Sequence, residues 1–181
     1  MAIELKRIGW KDEPSEDTPI DSGNLKQMEE NTQKAVMELE KLSTTEYITA
    51  WKETLQEISK GDNYIFKIDK EEHFGDFFEI TNNHEIKVLK NCKVFITSRI
   101  FVESCAGTGY VYAKVFVNGE NTTNCLQNIN EQEFINCNDS GIIAELKEND
   151  LITLKLDYTS TSGNPKIRSG KSNSSITIFT I

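Results

Sequence analysis

The residues of this 181-residue chain that could do chemistry are two histidines, four cysteines and a few clustered carboxylates. A general base needs a second group converging on it. His73 and His84 stand instead among loop-type neighbours, Phe74-Gly75-Asp76 and Asn82-Asn83. Cys92, Cys105, Cys125 and Cys137 form no CxxC pair, and neither histidine lies at tight spacing from one of them. The ligand clustering of a zinc site is therefore missing. Asn136-Cys137-Asn138-Asp139-Ser140-Gly141 starts like a calcium loop, yet Lys147 occupies the place of the bidentate glutamate and would repel the ion. Glu71 and Glu72 are adjacent, so they do not face each other across a glycosidic bond. No GxSxG elbow and no GxxxxGK[ST] phosphate loop occurs. The expectation is a non-enzyme with no catalytic residues, no metal and no cofactor. Asn121-Thr122-Thr123 and Asn173-Ser174-Ser175 fit glycosylation sequons, which matter only in a eukaryotic secretory route.

Composition narrows the classes further. Hydrophobic residues make up 37% and charged residues 27%, enough to build a core. A net charge of −9 argues against a phosphate-neutralising face, so nucleic acid is not an expected partner. No apolar run approaches the ~20 residues that span a bilayer, and no membrane insertion is expected. Residues 1–10 carry Glu4, Lys6 and Arg7 and lack an apolar signal core. The expectation is an unexported chain with reduced, partly buried thiols.

Four stretches must position whatever site exists: an extended segment at 1–20, a helix at 21–45, a connector at 46–63 and a β domain at 64–181. The first is short and polar, with Pro14 and Pro19. Asp21 suits a helix N-cap, and Ile20 with Leu25 has the spacing of a hydrophobic staple. Leu25, Met28, Thr32, Ala35, Leu39 and Leu42 then follow at alternating steps of three and four. That is a heptad seam, with Val36 widening the stripe. An amphipathic helix packed on its own domain would carry the same pattern, and fewer than three heptads are marginal alone. Residues 47–59 fit a helix face through Ile48, Trp51, Leu55 and Ile58, but Thr45, Tyr47 and Thr49 favour extended structure.

Beyond that the chain reads as strands: 64–68, 77–81, 85–89, 93–102, 110–117, 133–137, 141–146, 151–158 and 175–181. Asn118-Gly119 is a strong hairpin signal. Residues 159–174, rich in Ser, Gly and Asn, read as a loop. Eight or more short strands without a later helix predict an all-β sandwich.

Two resemblances follow from these residues. Trp10-Lys11-Asp12-Glu13-Pro14, Thr18-Pro19-Ile20-Asp21, Asn24-Leu25 and Met28-Glu29 stand in this order at the start of the chain. The arrangement resembles the opening segment of tail and baseplate proteins of phages of Gram-positive bacteria. The resemblance implies that Trp10, Pro14, Thr18, Pro19 and Ile20 dock onto another virion protein. Physical chemistry agrees, because Trp10 and Ile20 sit on a segment too short to bury them, and a partner could. Folding back onto the β domain is the alternative.

Glu85-Ile86-Lys87-Val88, the run from Cys92 to Val102, Gly107 and Gly109, Tyr110 to Val117, and Ala144 to Leu154 carry the second. They are similar to the trimeric jelly roll of the tumour-necrosis-factor and complement-head superfamily. Asn149-Asp150 stands at the turn where that family has Gly-Asp, and Asn tolerates the left-handed conformation. The family's aromatic signature is only partly met.

Together these imply a mainly β, homotrimeric architecture: an extended docking segment, a coiled-coil helix and an antiparallel β jelly roll. Leu25, Met28, Thr32, Ala35, Leu39 and Leu42 would form the trimer seam, and three sandwiches would supply the association that the short helix lacks. The implied function is a bacteriophage virion structural protein of tail-fibre, baseplate or receptor-binding type. Its distal domain would meet a host cell-surface saccharide or protein, with Tyr158 and 159–174 as candidate contacts. Alternatives are a head or neck decoration fibre without a receptor and a carbohydrate-active enzyme. Localisation follows as the virion, assembled in the bacterial cytoplasm.

Overall fold

The computed structural model describes residues 22–43, 45–131, 133–138 and 141–181. The chain separates into two units, residues 1–45 and 46–181. Among the described residues of the first is one helix, α1 (Ser22–Ser43), where the heptad spacing predicts one. No helix among the described residues is long and apolar enough to cross a membrane.

The second unit is antiparallel β structure: β1 (Tyr47–Trp51), β2 (Gln56–Glu57), β3 (Gly61–Ile65), β4 (Lys70–Phe74), β5 (Phe78–Thr81) and β6 (Glu85–Val88). They are followed by β7 (Cys92–Val117), β8 (Glu120–Asn130), β9 (Phe134–Asn138), β10 (Ile142–Leu146), β11 (Leu151–Ile167) and β12 (Ser175–Thr180). The main path runs β4-β1-β12-β7-β11-β6-β5. The 26-residue β7 is its spine. One flank of β7 is lined by β12 and then β11, the other by β10, β9 and β8 in turn.

Both halves of β7 feed a single core. Val94, Ile96, Ile100 and Val102 are buried in the first half, all at even positions. Cys105, Val111, Ala113 and Val115 are buried in the second, all at odd positions. Because strand side chains alternate faces, the inward set changes parity only if a residue is inserted into the alternation. Ser104, at φ 60°, stands where the parity changes. The strand turns there, and both halves close on one cluster with Ile48, Leu154, Leu156 and Ile178. Gly109 allows β11 to follow: a Cβ on it would come 2.0 Å from the Thr159 carbonyl oxygen.

Several expectations are corrected. The runs 93–102 and 110–117 are one strand, because Gly107 and Gly109 permit a bend rather than a loop. The connector expected at 46–63 contains β1, which lies inside the sheet between β12 and β4, so the β structure starts well before residue 64. The first expected strand, 64–68, is β3 at Gly61–Ile65. Beyond its end, Phe66 and Ile68 still enter the core and donate their amides to Leu154 and Asn83. Residues 159–167 are not loop but the far end of β11, carried past two register shifts by pairing with β7 and β2. The polar β4 and β8 give no apolar alternation to read; both are formed by ladder bonds to a neighbouring strand. Asn118 and Gly119, at φ 51° and 82°, make the predicted hairpin, and Asn149 at φ 72° adopts the left-handed turn.

Candidate assembly face

Among the described residues the two histidines and the carboxylates build no converging site. His73 lies on β4 beside Glu71, at 3.6 Å, while His84, in the turn between β5 and β6, sits 2.5 Å from the Asn82 carbonyl oxygen. Among the described residues no group of three or more metal-ligating side chains exists. The four cysteines are free thiols. Cys105 and Cys137 are buried, and burial pushes the Cys105 thiol up to about 11 and raises Cys137 as well.

A different constellation emerges on the face of the sheet turned away from the core. Register aligns Phe74 with Tyr47, Tyr47 with Phe179, Phe179 with Phe95, and Phe95 with Ile143. The result is a transverse row of five apolar or aromatic side chains across β4, β1, β12, β7 and β10. Their orientation follows from their neighbours, since Ile48, Ile178 and Ile96 are fully buried and successive side chains alternate. Phe74 and Ile143, at the two ends, are 53% and 62% exposed. In the middle the Phe95 and Phe179 rings pack at 5.2 Å. Gly141 leaves room for the Phe95 ring, because a Cβ there would come 2.1 Å from it. The Tyr47 hydroxyl donates to Glu72 at 3.1 Å, and Lys171 reaches the same carboxylate at 2.6 Å. These two hydrogen bonds, Lys171 first, hold the Glu72 carboxyl below its ordinary range.

The rows beside it are polar. Thr49 and Thr177 share a hydroxyl contact at 3.1 Å, with Thr97 in register. Then Trp51, Ser175 and Arg99 align, and Arg99 donates to Asn138 and to the Ser172 carbonyl, each at 3.1 Å. Farther along β7, the Phe101 and Phe134 rings stack at 5.6 Å with the Arg168 guanidinium 5.3 Å from Phe101. Phe134 is 59% exposed. Aromatic and aliphatic groups placed this way can be buried by another surface, each worth ~1.5–3 kcal/mol when removed from water.

The residues expected to carry function fall as follows. Trp10, Pro14, Thr18, Pro19 and Ile20 lie outside the described residues, as do Asp21 and the side chains of Leu25, Leu39 and Leu42. Met28 on α1 is 47% exposed, with Val36 and Met37 comparably open. Thr32 is exposed, and its hydroxyl donates to the Met28 carbonyl at 2.8 Å, so the polar seam position is satisfied within the helix. Ala35 is half-buried. Tyr158 is buried rather than a loop aromatic. The row of five escaped sequence reading because only strand register brings its members together. Alternation placed Phe95 outward, but no spacing along the chain links it to residues 47, 74, 143 and 179.

No family model and no curated protein matches the chain. Solved structures do. Murine APRIL at pH 5.0 superposes with a TM-score of 0.59 at 13% identity, covering 76% of this chain and 100% of that one. Eiger TNF from S. frugiperda gives 0.56 at 12% identity, covering 76% and 92%. At such identities the likeness speaks to fold alone, and with the strand order above it makes residues 46–181 a TNF-like jelly roll.

Proposed function

We propose that the chain is a non-enzymatic structural subunit of a bacteriophage virion, assembling as a homotrimeric appendage of tail-fibre, baseplate or receptor-binding type. The N-terminal segment anchors it to another virion protein, and the jelly roll is displayed toward the host. The observation that carries the self-association is the apolar row Phe74–Tyr47–Phe179–Phe95–Ile143, on the outward face of the sheet, with Phe74 and Ile143 exposed at its two ends. A second copy is the fitting occupant. The fold resembles jelly rolls that form trimers, and α1 leaves Met28, an expected seam position, and Val36, which widens the stripe, exposed. The virion assignment rests on the order of Trp10, Pro14, Thr18-Pro19-Ile20 and Asn24-Leu25.

Light scattering on the intact chain tests the assembly. A particle near three times 20.6 kDa supports it, and a monomer at micromolar concentration removes its basis. Immuno-electron microscopy with an antibody to the C-terminal domain tests the place. Label on tail or baseplate supports the appendage, and label on the capsid makes the protein a decoration fibre instead. Particles without label contradict both.

A further inference from the structure

We infer that the cleft beside the far end of β11 is a saccharide-binding site, a reading that rests on the proposed role of the jelly roll as the displayed receptor-binding module. The cleft encloses about 690 Å³, within the range of small-ligand sites. One wall is the stretch from Ser160 to Lys166, the other the Glu57–Lys60 segment, and Tyr158 contributes to its lining.

The walls are fixed by backbone bonds. Glu57 and Lys166 are paired in register between β2 and β11, and the Ile58 amide donates to the Pro165 carbonyl at 3.1 Å. Two register shifts, between Ser160 and Ser162 and between Gly163 and Lys166, push the intervening residues out of the ladder. Ser162 and Asn164, exposed residues, thereby line the cleft and bring a hydroxyl and an amide to it. Tyr158 is 2% exposed, and its hydroxyl is a buried polar atom without a partner of proper geometry. Ser160 stands near it, but the Ser160 hydroxyl is directed at the Ala106 and Ser162 carbonyls. A buried polar group left unpaired calls for a bound water or a ligand group to complete it.

The chemistry of the lining selects the ligand. Hydroxyl and amide groups outnumber apolar ones, which disfavours a hydrophobic small molecule. Glu57 and Lys166 pair at 3.9 Å, and Lys60 is the remaining charged residue of the lining, too little for a nucleic acid in a chain of net charge −9. Neutral donors and acceptors on a fixed, solvent-open wall match the hydroxyl array of a sugar. None of these residues belongs to the apolar row.

The test is saturation-transfer NMR on the full chain with glucose, galactose, rhamnose, N-acetylglucosamine, lactose and maltose as probes. At least one should receive saturation, and its affinity should fall about tenfold in Ser162→Ala/Asn164→Ala, the factor expected when hydrogen bonds to a ligand are lost. Tyr158→Phe, which deletes only the hydroxyl, should weaken the same probe. Transfer to no probe, or transfer unchanged in the double variant, overturns the site. Light scattering on the same samples separates the two readings: a trimer that binds no probe sinks the cleft alone, whereas a monomer sinks the assembly.

Discussion

Phe95 and Phe179 face each other directly across β7 and β12, 5.2 Å between ring centroids, on the side of the sheet that does not meet the core. Aromatic pairs on a solvated strand face do occur, but here they form the centre of a row five strands wide. Placing a charge at that centre should break an assembly without unfolding the subunit, because the core partners Ile96 and Ile178 are untouched. Phe95→Asp is expected to convert the proposed trimer into a folded monomer. Light scattering reads the mass, and far-UV circular dichroism checks that the strands persist. A variant that stays trimeric assigns the interface elsewhere.

The sheet's other outward surface holds a nearly dry ion pair. Lys114 and Asp157 meet at 2.5 Å with side chains only 12% and 10% exposed, and Asp157 also accepts the Asn63 amide at 2.7 Å. Removing one partner leaves a buried charge alone, which typically costs ~3–5 kcal/mol, while replacing both is often neutral. Lys114→Met should therefore lower the urea midpoint strongly, and Lys114→Met/Asp157→Leu should recover most of the loss. Equal losses in the single and double variants would falsify the pairing as the cause.

Acid should loosen the chain at a defined corner. Partial burial works to raise the Asp69 pKa, but the Glu53 amide at 2.8 Å, Lys52 at 2.9 Å and nearby Lys70 outweigh it and lower it. A carboxyl whose pKa is lower folded than unfolded stabilises the fold above its unfolded value and loses that contribution as pH falls. Below about pH 5 the native chain should lose stability more steeply than Asp69→Asn. Urea melts at a series of pH values measure the two slopes, and parallel slopes would remove Asp69 from the account.

How much could be read in advance depended on whether local pattern or register decided each element. The alternation in 93–102 and 110–117, the Asn118-Gly119 turn and the heptad steps of α1 are local, and each led to the right kind of element. The continuity of β7 was hidden because Gly107 and Gly109 read as loop formers, whereas here they let a strand bend against β11. β8 was hidden for the opposite reason: among its many Asn and Thr residues only Cys125 and Ile129 reach the core, and its pairing with β7 makes it a strand. The apolar row and the cleft both depend on which strands become neighbours, information absent from any window of sequence.

The thiols provide the last test, because two of them share the interior with the strand that organises the fold. Cys105 and Cys137 are 4% and 0% exposed, and their sulfurs point at the Val102 and Val111 carbonyls, at 3.9 and 3.8 Å. Burial disfavours the thiolate, pushing Cys105 up to about 11 and raising Cys137 too. The thiolate is the reactive form, so at pH 8 the Cys105 pKa alone should slow alkylation about a hundredfold relative to an ordinary cysteine, before access is counted. Iodoacetamide followed by peptide mass mapping should leave both unmodified in the native chain and label them only in guanidinium. Cys125, half-buried on the edge strand β8, should react first. Native labelling of Cys137 ahead of Cys125 would mean that β9 and β7 separate in solution, and the closed core described for Ile100 and Val111 would have to be abandoned.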